Sequence, residues 1–423
     1  MTDPRYQPLD LVKSLYPICR SITGDGVRET LKQVAAQIPL EVHEVPSGTE
    51  VLDWTVPREW NIRDAYVADT SGTRVIDFRE SNLHVVNYSV PVNRRMSLED
   101  LRPHLHSLPE HPDWIPYRTS YYQETWGFCL RHRDLEALTD GEYEVVIDSS
   151  LEDGHLTWGE LALPGQRPEE ILLTTHVCHP SMCNDNLSGI AVLTGLGRAL
   201  AQMDRRWSYR LLFIPGTIGS ISWLALNRET AGRVRHGITL AGVGDRGPVS
   251  WKKTRHGNTA IDRAMLRVLR GREHRVTEFS PYGYDERQFG SPGFDLPVGR
   301  FSRSEYAQYP EYHTSADDLE FVSDESLQDS MECILEVINI LETDQYFRNT
   351  QPFCEPQLGR RGLYDLPLEG AELQQVRLAL LWVLNLSDGE HSLQDISERA
   401  RMPYQNILTA SNALRDAGLL EPA

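Results

Sequence analysis

The chain has 423 residues, 40% of them apolar and 24% charged, with a formal net charge of −19 at pH 7. That length exceeds what one simple core serves, so two or three domains are expected. The acidic balance disfavours wholesale attachment to nucleic acid or to an anionic membrane, since both need a basic surface.

Six cysteines, Cys19, Cys129, Cys178, Cys183, Cys333 and Cys354, are sparse for this length and suggest no disulfide framework. A reducing, cytoplasmic setting is the expectation. The opening MTDPRYQPLD lacks a basic stretch followed by an apolar one, so no signal peptide is expected. No run approaches roughly 18 uninterrupted apolar residues, the length that spans a membrane.

In chain order, residues 9–38 predict two helices separated around Gly24 and Gly26, with Leu31, Val34, Ala35 and Ile38 on one apolar face. Short β-rich pieces follow from about 50 to 150, among them RVIDF, LHVVNYSV and YEVVIDSSL, as in a small β domain. HLTWGELALPG (155–165) reads as a strand returning to a main domain. Strand and helix then alternate: EEILLTTHV, DNLSGIAVLTGLGRALAQ, SYRLLFIPG, SISWLALNRE, GITLAGVGD ending in Asp245, and NTAIDRAMLRVLRG. Such alternation predicts an α/β fold with a mostly parallel central sheet, helices on both faces and a site at the carboxyl ends of the strands. The last 50 or so residues read helix, turn, helix, turn, helix. Ser392 is an N-cap and Pro403 stands early in the third helix, an order like that of a winged helix. A linker is expected around 351–370.

The segment LLTTHVCHPSMCNDNLSGIAVL (172–193) interrupts an apolar strand–helix unit with His176, Cys178, His179, Cys183 and Asp185. His176 falls at a strand end and Asp185 just before the next helix, so the two could share one cation such as zinc. Asp245 ends a later strand, and His313 lies in a polar turn, EYHTSADDLEFV. Each has a plainer reading: a hydrogen-bonded turn histidine, a helix cap, a turn aspartate. Cys178, His179 and Cys183 form a rival metal set without the paired Cys-x-x-Cys spacing, and Cys178 reads more simply as a core thiol than as a nucleophile.

The motifs HVCHPSMCNDNLSG, GVGD and YHTSADD resemble those of the zinc aminopeptidases related to bacterial leucyl aminopeptidases and glutaminyl cyclases. DWTVPREWNIRDAYV, SNLHVVNYSVP, IPYRTSYYQETWGFC and YPEYHTSADDL resemble a branch with an inserted N-terminal β domain and a C-terminal winged helix. The resemblance implies an aminopeptidase-like domain over 1–50 and 151–350, an inserted β domain over 51–150, and a winged helix over 360–423. It implies His176, Asp185, Asp245 and His313 as ligands. Two departures stand out. Cys178 replaces a carboxylate that supports the first histidine, and Pro215-Gly216-Thr217 stands where the family has a Glu-Glu pair. Loss of that pair removes a ligand and the general base, which points to one zinc ion rather than two.

Asp285, Glu286 and Glu311 are candidate replacement bases, with Glu286 favoured. Arg300, Arg303, Tyr306, Tyr309 and Tyr312 are candidate substrate-pocket residues, an Arg gripping a carboxylate. The expected activity is hydrolysis of an amide in a small molecule or short peptide by metal-activated water. Alternatives are a binding protein of the same fold, since Gly216 replaces Glu, and an enzyme acting on an amide of a glycan or natural-product precursor. DNA binding is disfavoured because the third C-terminal helix has one Arg and no Lys. A docking role there, and a homo-oligomer, are expected instead.

Overall fold

The computed structural model describes residues 6–423 except 306, 366 and 369. The chain divides into two compact units, one ending at Leu335 and one running Glu336–Ala423.

The first unit is organised around an eight-stranded sheet. Across it lie Glu41–Pro46, His155–Leu163, Ser208–Ile214, Glu170–His176, Val234–Leu240, Val298–Ser302, Val249–Lys252 and His274–Thr277. The four strands from 208–214 to 298–302 are parallel. The flanks are mixed, with antiparallel pairing at 155–163/208–214, 41–46/155–163 and 249–252/298–302. Strand 170–176 (EILLTTH) is buried at every position, as a central parallel strand covered on both faces must be. Its successor in sequence, 208–214, pairs on one side and 234–240 on the other. The carboxyl end of 170–176 is therefore where the strand order reverses, and a crevice opens there.

Helices Gly189–Ala201, Ile218–Leu226 and Ala260–Leu269 follow strands 170–176, 208–214 and 249–252. The last helix is closed at its start by a reciprocal Thr259/Asp262 cap. The strand expected to end at Asp245 stops at Leu240 instead. Gly242 turns the chain at φ +64°, and residues 243–245 form a loop bonded to Asn184 and Ser188. The N-terminal helices are Pro8–Leu15 and Asp25–Ala35. Gly24 and Gly26 serve close backbone approach: a Cβ would fall 2.2 Å from Trp60 O at the first and 2.0 Å from Cys19 O at the second.

Between residues 41–46 and 155–163 the chain builds a second antiparallel sheet, ordered Arg74–Asp77, Glu59–Ala68, Glu142–Glu152, Val92–Ser97. Its own core includes Val67, Ile76, Phe128, Val145 and Ile147. LHVVNYSV, expected to be β-rich, is not a strand of this sheet. It opens with a 3-10 turn, Asn82–His84, and its amides go to irregular partners, Val86 N–H to Gly127 O and Asn87 N–H to Arg118 O.

In the second unit, helices Gly370–Leu386, Leu393–Ala400 and Tyr404–Asp416 accompany a three-stranded sheet of Tyr346–Asn349, Asp388–Ser392 and Leu420–Pro422. Ser392 caps the second helix with Asp395, and Pro403 is the N-cap residue of the third. The expected boundary at 360 and linker at 351–370 are corrected. Strand 346–349 pairs with both other strands, so the unit is under way before the Pro-rich stretch that breaks periodicity. No helix among the described residues is long and apolar enough to cross a membrane.

Candidate metal centre and active-site cavity

His176 ends the central strand, and the short helical turn Cys183–Ser188 brings Asp185 back over it. His176 Nε2 lies 2.8 Å from Asp185 Oδ1 and His313 Nε2 lies 3.0 Å from Asp185 Oδ2. His179 Nε2 is 3.8 Å from Oδ2. Three imidazoles, drawn from two regions of sequence, thus converge on one fully buried carboxylate. The ligand atoms of His176, His179 and Asp185 all lie within 4.8 Å of one another.

Burial opposes ionisation of Asp185, yet the charge of His179 and the hydrogen bonds from His176 and His313 outweigh it and hold the carboxyl well below its usual range. Burial also pulls His179 well below the usual imidazole range, against the opposing charge of Asp185. The other nitrogen of the His179 ring, Nδ1, lies 3.3 Å from Cys178 Sγ, and that thiol in turn donates to Gly216 O at 3.6 Å. Cys178 therefore stands behind His179 as an orienting partner. Burial pushes its thiol pKa up, which removes it as a nucleophile. Cys183 is buried and does not join the cluster.

Asp245 does not join the cluster either. Its Oδ1 accepts from Gly247 N–H (2.6 Å) and Ser304 Oγ–H (2.8 Å). Its Oδ2 accepts from Ser304 N–H (3.1 Å) and Asn184 Nδ2–H (2.8 Å). The expectation of a ligand at 245 is met by a carboxylate already saturated in fixing its own loop. Asp317, within the closing His motif, accepts from the backbone N–H groups of Asn184 and Asp185 and so sets the turn that carries Asp185. Its role was not read from sequence, although the spacing of HTSAD placed it four residues from His313.

A cavity of about 240 Å³ opens against His176, His179 and His313, bounded also by Gly216, Tyr284, Asp285 and Arg287. Asp285 is its carboxylate. Ser220 Oγ–H donates to Asp285 Oδ1 at 2.9 Å. Burial raises the Asp285 pKa to about 6 against the opposing charge of His176. A Cβ added to Gly216 would lie 3.3 Å from Asp285 Oδ2, so Asp285 fills the space a side chain at 216 would enter.

Glu286, the favoured base, points elsewhere. It is fully buried and paired with Lys252 Nζ at 2.9 Å, with Arg300 NH1 at 3.9 Å. Glu311 is absent from the cavity wall. Of the expected pocket residues, Tyr312 lines the cavity and stacks on His313 with ring centroids 3.9 Å apart. Tyr309 stacks on Phe321 behind it. Arg300 lies by the buried Glu286, and Arg303 is committed to Gly247 O (2.9 Å) and Asp329 (2.8 Å). Neither arginine lines the cavity. Tyr306 lies outside the described residues.

Fold and site together define an α/β protein of the aminopeptidase-like kind. The zinc aminopeptidase BSAP from Bacillus subtilis superposes with a TM-score of 0.58 at 12% identity, over 79% of this chain and 94% of that one. A peptidase M28 precursor from Shewanella amazonensis gives 0.57 at 12% identity, over 79% and 93%. The chain belongs to the family described as a domain of unknown function (DUF4910), which matches residues 9–344, and a winged helix-turn-helix family matches residues 345–422. A Clostridium acetobutylicum relative is 50% identical over 414 residues, 97% of this chain and 95% of its own; it is named as a candidate polysaccharide biosynthesis protein with an aminopeptidase-like domain. A crystal structure of a candidate peptidase from the same organism superposes with a TM-score of 0.93 at 49% identity, over 98% of this chain and 96% of that one.

Proposed function

We propose that the chain is an amide hydrolase that works with one zinc ion held by His176, His179 and Asp185, whose ligand atoms lie together, with His313 beside them on Asp185 Oδ2. The observation that carries this reading is the convergence of three imidazole nitrogens on one buried, ionised carboxylate. Nitrogen and carboxylate-oxygen donors in this number suit zinc. Zinc, when bound, supplies Lewis-acid activation of a carbonyl and of water.

The chain's own residues supply the rest. Asp285 takes the proton of the attacking water and returns it to the leaving nitrogen. Its pKa of about 6 places a proton acceptor close to neutral pH, and Ser220 orients its carboxylate. Asp285 also meets the objection raised by Gly216, since the carboxylate missing from one loop arrives from another. That favours hydrolysis over a purely binding role. Cys178 holds the His179 ring, and Asn184 and Asp317 fix the turn bearing Asp185. The substrate is an amide of a small molecule or short peptide. The name of the Clostridium acetobutylicum relative supports a second substrate reading, an amide on a glycan precursor.

The test is metal analysis of zinc-reconstituted protein, alongside hydrolysis of aminoacyl p-nitroanilides and N-acetylated amino sugars. About one zinc per chain is expected in the native protein and none in Asp185→Ala. Asp285→Asn should keep its zinc and lose about 10²–10⁴-fold in turnover, the usual contribution of a positioned base. A native chain that takes up no metal overturns the reading, and undiminished turnover in Asp285→Asn overturns the role of that residue.

A further inference from the structure

Arg287 is the only Lys or Arg among the described residues lining the cavity, and Asp285 is the only carboxylate. The Arg287 Nε is buried without a hydrogen-bond partner, and no described carboxylate forms an ion pair with its guanidinium. That is unusual company for a half-buried arginine. Lys252 and Arg300 share Glu286, while Arg303 and Arg272 share Asp329. The Arg287 charge acts on Asp285 without a contact ion pair, and a guanidinium so placed in a concave site offers a planar fork of donors matched to a carboxylate or phosphate.

The same cavity carries a second feature. Trp54, on the hairpin Glu50–Val51/Trp54–Thr55, and Tyr122 both line it. They remain 45% and 53% exposed, with ring centroids 5.4 Å apart. Two large aromatics held at a cavity rim and left in water present flat, electron-rich faces. The C–H face of a pyranose ring packs on such a surface, while its hydroxyls stay solvated. Aliphatic peptide side chains have no comparable flat face to offer.

We infer that this cavity selects an acylated amino sugar bearing an anionic group, with Arg287 pairing the anion and Trp54 and Tyr122 carrying the sugar ring. Arg287 is then the specificity-determining residue. This rests on the hydrolase reading for the amide itself, but recognition does not require turnover and is measured separately.

The experiment is calorimetric titration of the zinc-reconstituted full chain with four probes. These are N-acetylglucosamine, N-acetylglucosamine 1-phosphate, N-acetylmuramic acid and N-acetylaspartate, and hydrolysis of each is followed in parallel. At least one anionic sugar should bind 10-fold or more tighter than the neutral sugar, and the phosphate and carboxylate arms tell the two anions apart. Arg287→Met should abolish that preference and leave the neutral sugar's affinity unchanged, and Arg287→Lys should keep part of it. Trp54→Ala should weaken all three sugars alike, with unchanged zinc content and circular dichroism as evidence of an intact fold. Equal affinity for neutral and anionic sugars, or a preference that survives Arg287→Met, overturns the inference. Arg287-dependent binding of N-acetylaspartate without sugar binding overturns its sugar half. Selective binding without hydrolysis of any probe leaves recognition standing and counts against the hydrolase reading alone.

Discussion

A Cβ placed on Gly216 would stand 3.3 Å from both Asp285 Oδ2 and His176 Cβ. A glutamate there would bring a second carboxylate against a buried one, where like charges at short range are costly. Restoring the family's residue is therefore expected to harm this enzyme. Gly216→Glu should lower turnover about 10-fold or more, and Asp285→Ala should lower it further. The pair Gly216→Glu/Asp285→Ala should exceed Asp285→Ala alone, because the smaller residue vacates the space. Turnover of all three on one hydrolysed amide, read as a double-mutant cycle, checks the coupling. A gain from Gly216→Glu alone would show that the two carboxylates do not compete. His176 is legible in the sequence because it ends an apolar strand, and Asp185 and His313, which stand in polar turns, are legible through the motifs NDNLSG and YHTSADD. The choice between Asp285 and Glu286 is not. The short helix Glu286–Phe289 starts between them, and successive helical residues point about 100° apart. Which one faces the cavity is decided by Lys252, on a strand more than 30 residues away, which claims Glu286.

At the scale of elements, the position of His313 depends on a segment of the inserted β region. Tyr117 N–H donates to His313 O at 2.8 Å, Ser315 N–H to Ile115 O at 2.8 Å, and Ile115 N–H to Ser315 Oγ at 2.9 Å. The Tyr117 ring meets His313 edge-on with centroids 5.1 Å apart and lies tilted against His179 at 5.2 Å. Its hydroxyl pairs with that of Tyr121 at 2.8 Å. His313 itself has φ +57°, a conformation that a non-glycine residue holds only when its surroundings impose it. The insert is thus part of the site's scaffold as well as a neighbouring sheet. Tyr117→Ala should weaken zinc affinity about 10–100-fold, the usual effect of removing an outer support, with Tyr117→Phe much closer to native. Competition with a chromophoric chelator measures both, and equal affinities across the three proteins would detach the insert from the site. Strand 170–176 and its following helix are legible because burial on both faces leaves a run of apolar and β-branched residues, Ile171–Thr175, before His176. The pairing of 115–117 with 313–315 joins irregular segments about 200 residues apart, so no periodicity announces it.

For the molecule as a whole, the winged helix-turn-helix unit raises the question of nucleic acid. From Glu336 to Ala423 the chain has seven arginines, no lysine and thirteen aspartates and glutamates. The third helix, Tyr404–Asp416, turns Tyr404, Ile407, Ala410, Ser411 and Leu414 inward and has Arg415 as its one cation. Duplex DNA presents about one negative charge per 1.7 Å of axis, and affinity grows with the number of phosphates a protein neutralises. An acidic unit on an acidic chain has few cations with which to release counterions, so we expect its winged-helix shape to gain little of the term that supplies most DNA affinity. Exposed Leu378 and Leu381 on helix Gly370–Leu386 fit contact with protein better than contact with phosphate. The full-length chain should show no fluorescence-anisotropy shift with labelled 30-base-pair duplex at about 100 μM protein in about 0.1 M salt, where a typical non-specific binder is already engaged. Raising or lowering the salt should leave that result unchanged. A shift that strengthens steeply as salt is reduced would mean that a local basic surface outweighs the overall charge, and the unit would then have to be read as a nucleic-acid module attached to an aminopeptidase-like domain.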